Sequence, residues 1–470
     1  MSVASVAEQW SEHFLSTPFE RLPADVIEQA KRALLDYLGV AIGGASMPMA
    51  RIAASYFVDL GGKPEASLLL DDRRLPAIHA ALVNGVYGHA LDMDDGHRMA
   101  AGHPGVATLP AALAAAEVHQ RSGAELLRAI VFGYEVFVRI GAHLNPAHLK
   151  RGFHTTATVA PFAAATAVGV LAGLDAAHLT RALGLAGLQG AGLMEVFHDG
   201  AMAKPFQTAR SGASGLLAAD LAARGALGPS TILEGVQGFL EAMCGDRAAD
   251  DLVAGLAPDT DWLIRGVYFK LYAACRHTHA AVDAARQLRD TYELRPEQVE
   301  RVVVRTYEVA DRLCGATALP SGPSEAKFSL PFTIALGLTV GHAGQSCFTP
   351  ETVADESLRA LASRVRVEID PAIEREYPVK RTAALDLTTS DGRLLEAEVP
   401  IARGEPEIPL SQEDVETKFL DNARLALSEE QARAVIAEVR ALDTRPSCSR
   451  LLDLLAGRAT PALTASRRGP

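Results

Sequence analysis

The chain has 470 residues, a formal net charge of -12, 49% hydrophobic and 22% charged residues. This length exceeds one compact core and predicts two or more domains, and an acidic balance without a basic stripe argues against nucleic acid as a partner. Cys244, Cys275, Cys314, Cys347 and Cys448 are scattered without CxxC spacing, which argues against a disulfide framework or zinc site and for a reducing cytoplasm.

The N-terminal MSVASVAEQWSEHF has no charged region leading into an apolar run, so no signal peptide is expected. Longer apolar stretches are interrupted by Gly, His or Thr, and no membrane span is expected. Residues 23–44 carry Ile27, Ala30, Leu34 and Leu38 at helical spacing and close on a Gly pair, the mark of an amphipathic helix. Further helices are expected over 77–91, 109–120, 123–144 and 155–173. Gly173 is then a stop and Asp175 a cap for the next helix near Ala176. Another helix is expected over 211–223, and no strand alternation of any length appears before about residue 297.

The texture then changes. Residues 302–307 are rich in β-branched side chains, 364–369 alternate with period two, and 384–389 lead through Asp391-Gly392 into 394–399 as a hairpin. Helices are expected between these strands at 330–340 and 354–364, which makes an α+β unit. Beyond Pro400 the pattern returns to helices at 412–427 and 428–442, with Ser411 and Ser428 as candidate caps. The expected fold is mainly α: a large all-helical domain from residues 1–265 and 405–460, with a smaller α+β domain, 266–404, inserted. Residues 461–470 read as a disordered tail.

Three clusters can carry chemistry. NGVYGHALDMDDGH, residues 84–97, followed by GHPG at 102–105, gathers Asp92, Asp94, Asp95, His89, His97 and His103. These groups can bind a metal, or can form an acid/base site with His103 as proton acceptor and Asp92 orienting it. They can also simply cap a polar helix end. The His-Pro-Gly sequence predicts a tight turn presenting His103. In KRGFHTTAT, residues 150–158, the threonines start a helix whose N-terminus attracts anions, with His154 beside it. Here the plain alternative is a hydroxyl cap with an exposed histidine. The third cluster joins AMAKPF, with Lys204, to VYFKLYAACRHTH, with Lys270, Cys275, Arg276, His277 and His279. Lysines in apolar surroundings either reach solvent or serve an anion. The plain alternative makes His279 a helix-start residue and Cys275 a small core side chain. No GxGxxG after a strand, GxxxxGK[ST], HExxH or GxSxG occurs, so nucleotide, zinc-protease and serine-hydrolase chemistry lack support.

Taken in order, these segments with AKPFQTARSGASG, ILEGVQGF and EAKFSLPF resemble the motif series of the MmgE/PrpD family over about residues 5–445. The resemblance implies a large helical domain with an α+β lid, a homodimer, and an enzyme needing neither metal nor organic cofactor. It implies a small polycarboxylate as substrate, since the family includes 2-methylcitrate dehydratase, cis-aconitate decarboxylase and iminodisuccinate epimerase. Asp92, His103, His154, Lys204 and Lys270 match the family's active-site positions. The implied roles are His103 as base or acid, Asp92 orienting it, and His154, Lys204 and Lys270 holding carboxylates and an enolate.

Departures from the family pattern lie at Gly96-His97-Arg98, where several relatives have Thr after the Asp pair. They lie also at Cys275, where decarboxylases have a histidine (His277 follows two residues on), and at Cys314, where decarboxylases have a tyrosine. His97, Arg98, Cys275, Arg276 and His277 are therefore candidate substrate contacts, and dehydration leads over decarboxylation. An epimerase is the alternative within the family, and a non-catalytic carboxylate-binding protein the alternative outside it.

Overall fold

In the computed structural model, which describes residues 4–197, 202–256 and 261–457, the helix Thr155–Ala172 holds the centre of the larger unit. Its Ala, Thr, Val and Gly side chains are apolar or small on every face, which suits a fully surrounded helix. The helices Pro104–Val118, Gly123–Leu144, Ala176–Gly187 and Lys204–Ala223 pack around it. Close approach requires small residues: a Cβ on Gly215 would lie 2.3 Å from the carbonyl oxygen of Pro161. Among the described residues this 18-residue helix is the one long and apolar enough to cross a membrane, yet 89% of it is buried in the unit. The expectation that apolar runs break too early thus fails here, because scattered threonines satisfy their hydroxyls on the preceding turn, as Thr166 does on Phe162.

Local signals set the helix ends. Ser122 and Glu125 form a capping box at Gly123–Leu144, and Ser428 and Gln431 do the same at Glu429–Arg440. Asp175 caps His178 N–H at 2.8 Å, and Gly173 ends the central helix at φ 73°. Two helices begin earlier than their sequence predicts. Pro104–Val118 starts five residues before the expected 109, and Lys204–Ala223 seven before 211. Both carry proline in the first turn, where its missing N–H has no helical partner to lose and its φ is already helical. A proline read as punctuation there is a helix start. Short strands do occur before residue 297, where the sequence shows no alternation. Ala66–Ser67 pairs with Arg74–Leu75, and Gly96–His97 is a further two-residue strand, each too short to leave alternation in the sequence.

The chain divides at Val267/Tyr268 and again at Ser411/Gln412. The larger unit takes both outer segments, and the smaller unit is residues 268–411. The smaller unit is built on a four-stranded sheet ordered Val365–Ile369, Val299–Thr306, Ala383–Thr389, Leu394–Val399. The first pair is parallel, with Val302 opposite Val365, and the others are antiparallel. Gly392, at φ 85°, turns the hairpin between the last two strands. Helix His279–Tyr292 packs on this sheet, and Leu330–Thr339 packs on that helix. The overall composition is mainly α with one α+β part. The expected tail, 461–470, lies outside the described residues.

Candidate active site

Helix Ala77–His89 ends at His89, and the following loop carries Asp92, Asp94 and Asp95 before helix Pro104–Val118 begins. His103 is the residue that caps this second helix, so His-Pro-Gly is a helix entry and not the isolated tight turn expected. Asp92 adopts φ 58°, a left-handed conformation that Asp tolerates better than bulkier residues. All three carboxylates are buried. Asp94 Oδ2 lies 2.8 Å from His89 Nδ1 and 3.2 Å from His103 Nδ1, and the Asp95 carbonyl lies 2.6 Å from His103 Nδ1. A carbonyl oxygen can only accept, so His103 Nδ1 carries a hydrogen and Nε2 of the neutral ring carries the lone pair. The Asp94 carboxylate then favours the charged ring that forms when Nε2 takes up a proton.

The loop itself is fastened from several sides. The Asp95 carboxyl accepts Gly105 N–H at 3.0 Å and Tyr134 O–H at 2.7 Å. A Cβ on Gly105 would come within 2.7 Å of both Asp95 Oδ1 and Tyr134 Oη. Burial first, and the nearby Asp36 carboxylate second, push the Asp95 carboxyl up to about 8. Lys418, in helix Gln412–Ala423, is buried, pairs with Asp36 and donates to the Met93 carbonyl at 2.7 Å.

His154 caps helix Thr155–Ala172 and is 5% exposed, which removes the reading of an exposed histidine. The adjacent threonines do not cap that helix: Thr156 Oγ1 accepts His103 N–H at 3.3 Å, and Thr155 Oγ1 accepts Asn145 Nδ2 at 3.1 Å. Burial, then the Lys204 charge, hold the His154 pKa well below its ordinary value. Lys204 opens helix Lys204–Ala223, pairs with Asp92, and stands 5.3 Å from the centre of the Phe197 ring. The His89 ring is 5.0 Å from that of His103 and 6.5 Å from that of His154. Asp92, His103, His154 and Lys204 thus converge in the larger unit. His97 is buried near them in sequence, but its Nδ1 accepts Ala100 N–H at 3.2 Å and supports a turn. Arg98 is half-buried.

In the smaller unit, Lys270 is 2% exposed and does not reach out to solvent. Cys275 is buried and its main chain is bonded to Lys327 and Thr278. Arg276 does not present a free guanidinium: Nε and Nη2 both bind Glu405 Oε1, at 3.1 and 2.9 Å, and Nη1 contacts His279 at 2.8 Å. His279 is the first residue of its helix, in line with the plainer reading. His277 Nδ1 meets the Tyr307 hydroxyl at 2.6 Å. Burial, then the Arg381 charge, hold His277 well below its ordinary value. Tyr307 stacks on Tyr377 at 4.6 Å. Sequence reasoning missed Arg381. Its Nε is buried, and it makes no hydrogen bond or ion pair with any described residue, standing 5.9 Å from the Tyr268 ring. Such a guanidinium is available to an anion.

Among the described residues, His89, Asp94 and His103 form the one group whose possible metal ligand atoms lie close together, within 4.8 Å. Two imidazoles and a carboxylate suit a divalent cation. Using the Nδ1 atoms for metal would displace the hydrogen bonds to Asp94 and to the Asp95 carbonyl.

Residues 8–251 match the MmgE/PrpD N-terminal domain and residues 272–444 the MmgE/PrpD C-terminal domain. The chain is 28% identical to human cis-aconitate decarboxylase over 99% of its own length and 98% of that protein. It is 26% identical to the cis-aconitate decarboxylase of Aspergillus terreus, over 92% of each chain. To 2-methylcitrate dehydratase of Cupriavidus necator it is 27% identical, over 38% of this chain and 39% of that one.

Proposed function

We propose that this chain, which belongs to the MmgE/PrpD family, is a lyase that removes a proton from a carbon next to a carboxylate of a small di- or tricarboxylate. The observation that carries the reading is the Asp95 carbonyl on His103 Nδ1 at 2.6 Å, with the Asp94 carboxylate at 3.2 Å. It supports His103 Nε2 as the base: the main chain fixes the tautomer, and the carboxylate favours the proton once it has arrived. Lys204 and His154 supply a cation and a neutral ring for the enolate that forms. In a dehydration, the C–H pair becomes the new double bond while the hydroxyl on the neighbouring carbon leaves with a proton as water. The pathway needs no redox partner.

A second reading, decarboxylation, draws on two observations. Relatives named cis-aconitate decarboxylase match nearly the whole chain. In addition, His277 and Tyr307 form a histidine–tyrosine pair bonded at 2.6 Å, which offers the two side-chain types replaced at Cys275 and Cys314.

Proton NMR in heavy water separates the readings. The chelator-treated protein would be incubated in turn with 2-methylcitrate, cis-aconitate and iminodisuccinate. Deuterium entering a carbon next to a carboxylate, with loss of hydroxyl, is the expected result for 2-methylcitrate. Conversion of cis-aconitate with loss of a carboxylate would favour decarboxylation, and inversion without an alkene would indicate an epimerase. No exchange with any of the three would overturn these reactions and leave carboxylate binding.

A further inference from the structure

Two bonds fix the Gln207 side chain. Leu193 N–H can only donate, and it meets Gln207 Oε1 at 3.0 Å; the Leu193 carbonyl can only accept, and it meets Gln207 Nε2 at 3.3 Å. The orientation of the amide is therefore dictated by main chain, which has no alternative polarity. The same Gln207 Nε2 lies 3.1 Å from His154 Nδ1. With one hydrogen on Leu193, it has a second to give, and it has no lone pair to receive one. His154 Nδ1 must then be the acceptor.

The assembly is closed on itself. Leu193 bridges to Phe153, Gly192 O accepts His154 N–H at 3.1 Å, and Met194 N–H reaches Gly152 O at 2.8 Å. The segment that orients Gln207 is thus the one tied to the backbone of His154. Gln207 and Lys204 stand three residues apart in one helix, a spacing that places both on the same face.

We propose that Gln207 is a positioning residue that holds His154 as the neutral tautomer with hydrogen on Nε2, making His154 a hydrogen-bond donor to a substrate carboxylate or enolate oxygen. Among the described residues His154 Nε2 has no hydrogen-bond partner. His103 and His154 thereby take opposite tautomers, one with its lone pair on Nε2 and the other with its hydrogen there. Two neighbouring imidazoles become distinct tools, a proton acceptor and a donor of a hydrogen bond. The donor's target rests on the carbanion reading above; the tautomer does not.

The test uses the full chain labelled with 15N-histidine. Two-bond 1H–15N correlation spectra at neutral pH distinguish a ring protonated on Nε2 from one protonated on Nδ1, and loss of the signal in His154→Gln assigns it. The expected result is an Nε2–H ring for His154 in the unaltered protein. In Gln207→Leu, part or all of that signal should shift to the Nδ1–H pattern, and kcat should fall about tenfold to a hundredfold, up to the lower end of the range for a lost oxyanion donor. An Nδ1–H ring in the unaltered protein would overturn the proposal, and so would an unchanged Nε2–H ring in Gln207→Leu. The first of these spectra is decisive even if the variant fails to fold. Missing turnover in the unaltered protein, beside the expected spectra, would count against the carbanion reading and not against the tautomer.

Discussion

His103 in the larger unit and His277 in the smaller unit have opposite surroundings. In the larger unit, His89 and His103 share the Asp94 carboxylate, with Asp92 and Asp95 in the same loop. In the smaller unit, His277 is surrounded by Arg381, Lys270, Arg276 and Arg312, and its hydrogen-bond partner is a phenol. A histidine beside a carboxylate gains stability on taking a proton, whereas one beside guanidinium groups loses it. The comparison teaches that burial alone does not decide a histidine's task. His103 stands where a carboxylate favours its proton, whereas His277, like His154 beside Lys204 in the larger unit, is kept neutral by burial and nearby cations.

The contrast can be broken first at His103. His103→Ala should lower kcat about 10²–10⁴-fold with little change in KM, the range for a lost general base, as read in steady-state kinetics on the substrate that exchanges deuterium. Unchanged turnover would remove His103 as the base.

In the smaller unit the paired and unpaired arginines should differ. Arg276→Gln takes the guanidinium away from buried Glu405, and should cost about 3–5 kcal/mol of stability. Arg381→Gln takes away a cation that makes no hydrogen bond or ion pair with a described residue and feels the Glu405 charge only at a distance, and should cost less than Arg276→Gln while weakening carboxylate binding. Urea unfolding of both variants, with calorimetric titration of tricarballylate, checks this. Equal destabilisation by the two would mean that Arg381 has a structural partner.

Gly105→Ala places a methyl group against Asp95 and Tyr134. It should cost about 1–3 kcal/mol, as overpacking does, and should disturb activity more than an Ala substitution at half-buried Gly322, beside which a Cβ meets nothing. Thermal unfolding and kinetics of the pair would show whether the loop is as tightly held as its bonds imply.

The last prediction concerns pH. The Asp95 carboxyl is raised from 3.8 to about 8, so between those values the folded chain holds a proton that the unfolded chain has released. Its contribution to stability is full below 3.8 and is lost as pH rises to about 8. Asp95→Asn keeps an acceptor for Gly105 and a polar group for Tyr134, and should flatten that decline. Urea midpoints measured across this window check it, and a slope as steep as in the unaltered chain would show that Asp95 is ionised when folded.

The sequence by itself determined what is local or periodic. The central helix, the caps at Asp175 and Ser428, and the hairpin turn at Asp391-Gly392 follow from spacing and backbone preference. So does the gathering of Asp92, Asp94, Asp95 and His103 on one short segment. Gln207 was within reach of the same reasoning, since a residue three positions past Lys204 shares its helix face once Pro205 is read as a helix start. Tertiary structure alone decided the rest. Lys418 binds the Met93 carbonyl from 325 residues away, and Glu405 occupies Arg276 from 129 residues away. No periodicity encodes which distant helix or loop returns to a given side chain. The state of each histidine was equally invisible, because a tautomer and a pKa depend on whether the neighbouring atom is a carbonyl, an amide or a guanidinium. Only packing brings those atoms within 3 Å or so of the ring.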